Sequence, residues 1–294
     1  MAPPSPEVLA LSRHDKAPGW TAREVFIKML EAALEVVDSG GRAIVFFHYA
    51  GHSAQGVNGL QFTSPSSSKA INFCNILGVV GAKSDLDDNT PIDVVFILDC
   101  CYSFTFTKSA KPIGRVVEIL AAVDSITPDK RMSFTRKLAE QVAFLKNQHH
   151  QSIELAELVA TLRANSLLEK PAHAIIVGSS SVRLYFSGII EPQLAPQSLY
   201  CTLQAIFKVH IDGSFTPEEL ENFISWIHSL SPRAGLGLEA VYETTTTSMC
   251  LIVRGSCATF SKLNGIPGLS LICETSSGNL LKTGSAKRRR VEDS

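Results

Sequence analysis

The chain has 294 residues, 45% hydrophobic and 19% charged, with 27 Lys+Arg against 28 Asp+Glu for a formal net charge of −1. That much apolar surface excludes wholesale disorder, and the neutral balance argues against a general nucleic-acid binder. No apolar run approaches the roughly 18–20 residues that span a bilayer, so no membrane partner is expected. The charge is uneven: from Thr275 onward five cations (Lys282, Lys287, Arg288, Arg289, Arg290) face Glu292 and Asp293. The seven cysteines are scattered and odd in number, and the start has no stretch long enough for a secretory signal. Reduced intracellular thiols are the expectation, in the cytoplasm, the nucleus or both.

In chain order, the Pro-rich residues 1–20 read as a loose arm. Thr21-Ala-Arg-Glu24 reads as a capping box opening a helix that Ser39-Gly40-Gly41 closes. Ala43–Tyr49 is a continuous apolar run without alternation, which predicts a strand covered on both faces. A polar loop at Thr63–Lys69 precedes a helix over about 71–80, then Asp93–Leu98 is a second buried strand. Val116–Val123 and Ala174–Val177 read as further strands, with helices at roughly 134–146 and 153–168 between them. Strands alternating with helices predict an α/β class with a mostly parallel sheet. Later come a strand at Leu199–Val209, a helix opened by Thr216-Pro-Glu-Glu219, and a β-rich stretch from Leu238 to Phe260. The body is read as one domain over 21–262, and residues 263–294 as a disordered basic tail.

Two pieces carry chemistry, Tyr49-Ala-Gly-His52-Ser53 and Asp99-Cys100-Cys101-Tyr102-Ser103, each directly after a buried strand. Residues just beyond the carboxyl ends of parallel strands line the ligand crevice. An imidazole beside a thiol accepts its proton and later protonates a leaving amine. Backbone amides around Gly51-His52-Ser53 are candidate oxyanion donors. Alternation along the second strand lets only one of Cys100 and Cys101 face His52.

His52 and Cys101 are forty-nine residues apart, close to the His–Cys spacing of caspases. The pair resembles the caspase-like cysteine peptidases, metacaspases most closely, and the wider pattern is similar to fungal caspase-like proteins. Glu118-Ile-Leu-Ala-Ala122 and Ser133-Phe-Thr-Arg136 echo their later segments. The resemblance runs from about Arg42 to Thr259. It implies a three-layer α/β/α sandwich, a base at His52, a nucleophile at Cys101, and Asp99 in a pocket for Arg or Lys before the scissile bond. It implies a peptide or protein substrate, no cofactor beyond the calcium of metacaspases, and a role in cell death or self/non-self incompatibility. The chain departs from the metacaspase pattern at Ala50, which stands where serine is usual in the pocket, at Ser53, and at Phe104. One or two strands usual before the histidine strand are also missing here.

Three other readings stay open: a core His and Cys without chemistry, a caspase-like module with a silent dyad acting through self-association or signalling partners, and an unrelated doubly wound hydrolase. Asp85-Leu-Asp-Asp88 hints at calcium but reads as solvated, and His149-His150 as a surface turn rather than a zinc site. Lys108, Lys111, Arg115, Lys130 and Arg131 form a basic linker, read as a solvated loop or an autoprocessing site. Lys287-Arg288-Arg289-Arg290 is a candidate nuclear import signal.

Overall fold

A computed structural model describes residues 17–56, 59–64, 67–81, 84, 90–100, 115–122, 133–166, 170–178, 180–186, 203–213, 216–229, 235–244 and 248–276. The first helix, α1 (Pro18–Asp38), starts at Pro18, whose fixed φ suits the first helical position. Thr21 therefore lies inside the first turn, where its hydroxyl bonds back to the Ala17 carbonyl, and the predicted cap does not form. The predicted stop holds: Ser39 is the C-cap and Gly40 takes a positive φ of 85°.

The central sheet has strand order β1-β5-β6-β8, formed by β1 (Ala43–Ala50), β5 (Ile92–Asp99), β6 (Val117–Ala121) and β8 (Ala172–Val177). The first three run parallel, and β8 runs antiparallel to β6. The fold is therefore mixed α/β with a largely parallel sheet, as the alternation of elements predicts. One face packs on α1 and α2 (Phe73–Val80) through Phe26, Phe73, Ile76 and Phe96. The other packs on α3 (Phe134–Asn147) and α4 (Leu155–Ala164) through Val95, Leu120, Leu138 and Leu158.

The β1 expectation is corrected. Its burial alternates, with Val45 buried while Ile44 and Phe46 are 38% and 42% exposed. The strand is apolar throughout, yet it stands at the edge of the sheet with α1 on one face. The Thr63–Lys69 loop is also corrected. β2 (His52–Gly56), β3 (Gly59–Ser64) and β4 (Ser67–Asn72) form an antiparallel meander between β1 and α2.

Two buried charges hold the amino-terminal end of the sheet. The Asp93 carboxylate accepts a fork from Arg42 at 2.7–2.9 Å and the Val116 amide at 2.8 Å, joining the entries to β1, β5 and β6. Burial pushes this carboxyl above the usual range, and the Arg42 guanidinium opposes that shift. The sequence places Arg115 in a basic linker expected to be a solvated loop or an autoprocessing site, whereas the structure buries it completely. Its guanidinium donates to the Val80 and Gly81 carbonyls and the Ser84 hydroxyl, satisfying acceptors that α2 leaves at its C-terminus.

A two-stranded antiparallel sheet of β7 (Ser152–Glu154) and β9 (Arg183–Tyr185) flanks α4. The C-terminal section is a second, antiparallel sheet of order β11-β12-β10-β13, from β10 (Gln204–Ile211), β11 (Gly237–Glu243), β12 (Met249–Ser256) and β13 (Leu269–Thr275). Helix α5 (Pro217–Ser229) carries the predicted reciprocal cap, with Thr216 and Glu219 exchanging side-chain and backbone bonds. Helix α6 (Cys257–Leu263) packs on β8. The ordered body runs past residue 262, where the sequence reading ended it. β13 pairs along β10, and Glu274 forms a buried ion pair with Arg163 of α4. The strand is recruited because β10 offers a ladder edge and Leu269 and Leu271 pack on the core of this sheet.

Among the described residues no helix is long and apolar enough to cross a membrane.

Candidate active site at the carboxyl ends of two parallel strands

β1 and β5 are neighbours in register, so Ala50 stands beside Asp99 at their carboxyl ends. The Gly51 amide continues the ladder by donating to the Asp99 carbonyl at 3.3 Å. That amide serves the sheet, which corrects its reading as an oxyanion donor. His52 follows as the first residue of β2, opposite Thr63, and is exposed. Ser53 pairs with Phe62 in the same ladder.

The spacing of Tyr49, Gly51 and His52 has a steric cause. The Tyr49 ring stacks on Phe62 at 3.7 Å between centroids, and its hydroxyl donates to the His52 carbonyl at 2.6 Å. To reach it the phenol passes over Gly51, where a β-carbon would sit 2.7 Å from the oxygen. Only glycine leaves that room. Burial, with a lesser contribution from Cys100, pushes the Tyr49 hydroxyl up to about 12, so it keeps its proton and remains a donor.

The other strand end is anchored by charge. Asp99 accepts from the Phe134 amide (3.3 Å), the Thr135 amide (2.9 Å) and the Thr135 hydroxyl (2.8 Å) at the N-terminus of α3. A carboxylate there meets unpaired amides and the positive end of the helix dipole. The Thr135 oxygen also lies 2.9 Å from Nε2 of His48, on β1. Ser133 caps the same helix through the Arg136 amide.

Cys100 is buried in the core beneath α1 and α2, on the face opposite Asp99, where strand alternation puts it. Cys101 lies outside the described residues, as do Phe104, Asp85–Asp88, Lys108, Lys111, Lys130, Arg131 and Lys287–Arg290. His149 and His150 are exposed in the turn after α3, with His149 at φ 61°. The structure thus brings His52, Gly51, Ala50 and Asp99 together at one end of the sheet. It adds Tyr49, His48 and Thr135, to which sequence reading gave no role. Tyr49 was legible as the first letter of the motif, whereas His48 was hidden in an apolar run.

A second polar cluster lies deeper. Glu118 of β6 accepts from Ser181 (2.6 Å) and the Val182 amide (3.1 Å) and sits 2.8 Å from Nε2 of His173. Nδ1 of His173 is 2.7 Å from the Ser261 hydroxyl. Serine, histidine and glutamate stand in line, yet Glu118, His173 and Ser261 are fully buried, which fits a structural bond between β6, β8 and α6 rather than a site open to substrate. Among the described residues no group of three His, Cys, Asp or Glu side chains is placed to hold a metal. Comparison with family models, with curated proteins and with solved structures finds no match.

Proposed function

We propose that the chain is a cysteine endopeptidase of the caspase-like type, with His52 as base and Cys101 as nucleophile. One observation carries this reading: β1 and β5 are adjacent, parallel and level at Ala50 and Asp99, and each residue of the pair follows its strand end by two positions. Residues at that place border the crevice of a parallel sheet. In the proposed reaction His52 takes the thiol proton and the Cys101 sulfur attacks the scissile carbonyl. Backbone amides near His52 and Cys101 meet the oxyanion. The imidazolium then protonates the leaving amine, and water hydrolyses the thioester. Asp99 favours a basic residue before the bond. The role is cell-death or incompatibility signalling, and the Lys287–Arg290 cluster is a nuclear address.

A silent caspase-like module is the second reading, favoured by one contact set: the Asp99 carboxylate is already committed to three donors of α3. The test incubates the chain with peptides bearing Arg, Lys or Asp before the bond, with and without calcium, beside Cys101→Ala and Cys100→Ala. Cleavage lost only in Cys101→Ala supports the enzyme. Folded proteins with no turnover under any condition support the module.

A further inference from the structure

The outer edge of β1 is open in a specific way. Ala43 and Gly51 both donate their amides toward β5, to the Pro91 and Asp99 carbonyls at 3.1 and 3.3 Å. Backbone direction alternates along a strand, so Val45, Phe47 and Tyr49 also turn inward. Ile44, Phe46, His48 and Ala50 turn their N–H and C=O groups outward. Among the described residues no strand lies beyond them. The opposite edge differs: all six residues of β8 are buried and α6 packs against that strand.

Natural edges are usually guarded by charge, proline, a bulge or brevity. β1 has eight residues, no proline and no formally charged side chain, and its register with β5 is unbroken. Ile44 and Phe46, its two large exposed apolar side chains, stand on one face beside the exposed His48. We propose that this edge pairs with the same edge of a second copy, antiparallel about a twofold axis at Phe47. That register sets Phe46 of each copy opposite His48 of the other and Ile44 opposite Ala50. All four outward residues then find partners, giving about eight N–H···O bonds. No charge meets a like charge, and Ile44 and Phe46 from both copies form one apolar strip across the joint. The same surface meets itself, as a closed twofold dimer requires, and two four-stranded sheets become one of eight strands.

The test is sedimentation of the full chain over a concentration series, with amide hydrogen exchange read residue by residue. The expected result is a dimer. The amides of Ile44, Phe46, His48 and Ala50 should gain protection as concentration rises, while those of Val45, Phe47 and Tyr49 stay protected throughout. Phe46→Lys and Ile44→Lys should each raise the dimer dissociation constant at least tenfold while circular dichroism stays unchanged. If either variant fails to fold, the wild-type exchange pattern decides. A monomer at about 100 µM overturns the proposal. So does a dimer in which the four outward amides exchange freely, or a monomer in which they are already protected, which assigns the edge to another segment of the same chain.

Discussion

The hydroxyl of Tyr49 donates to the carbonyl of His52 at 2.6 Å, across a residue that has no side chain. The bond fixes the backbone that carries the candidate base, and Gly51 is what makes it geometrically available. Gly51→Ala should therefore destabilise the fold by about 1–3 kcal/mol, the usual cost of forcing an extra carbon into a packed site. Tyr49→Phe should cost about 1 kcal/mol by removing one hydrogen bond and keeping the stack. The double variant should cost less than the sum, because Phe relieves the closest contact of the new methyl. Urea unfolding of the four proteins measures this coupling, and strict additivity would falsify the steric account.

Asp99 separates two roles. As the anchor of α3 it predicts that Asp99→Ala and Thr135→Ala each lose about 1–2 kcal/mol, as for a removed helix cap. As a pocket residue it predicts something further. Asp99→Asn should lower kcat/KM for peptides with Arg or Lys before the bond at least tenfold more than for peptides with a neutral residue there. Equal losses across peptides would leave Asp99 as an anchor alone.

Glu154 gives a pH signature. Burial, aided by Glu118 and Glu157 and opposed by Arg183, raises its carboxyl from 4.5 to about 7. The folded state then holds a proton that the unfolded chain releases between those values. Stability from this group is full below about 4.5, falls as pH rises toward 7, and is level above. Glu154→Gln should flatten the fall. Denaturation midpoints at pH 5 and pH 8 check it, and unchanged pH dependence in the variant would sink the assignment.

The buried line of Glu118, His173 and Ser261 predicts unequal penalties. Ser261→Ala leaves one imidazole nitrogen unpaired and should cost about 1–3 kcal/mol. Glu118→Ala strands His173, Ser181 and the Val182 amide together, and a cost of about 3–5 kcal/mol is expected. Thermal unfolding ranks the two, and equal midpoints would argue against a connected network.

Local signals were legible where the residues involved are neighbours in the chain. Thr216 and Glu219 announce the start of α5, and Ser133 that of α3. The similar Thr21–Glu24 pattern misled because Pro18 nucleates the helix a turn earlier. Position within the sheet was not legible in this way. The apolar run at Ala43–Ala50 has the composition of a covered strand, but the number of its neighbours is set by the rest of the fold. In β3 only Leu60 and Phe62 mark the buried face, and the polar residues of β4 pair through backbone, which carries no hydrophobic pattern. Arg115 looked like its basic neighbours in sequence, and only the end of α2 distinguishes it. At the site, His52 and Asp99 stood out as motif letters, whereas Thr135 reaches Asp99 from thirty-six positions away.

The Asp93 carboxylate gathers three strand entries at the end of the sheet opposite His52. The molecule thus has a foundation and a workbench at opposite ends of the same strands. Segments that follow the carboxyl ends can change in length or composition while the joint at Arg42, Asp93 and Val116 still aligns the strands that present them. Exchange of the segments after β1 or β5 is therefore the natural route to altering the candidate site, whereas changes at Arg42 or Asp93 threaten every graft at once.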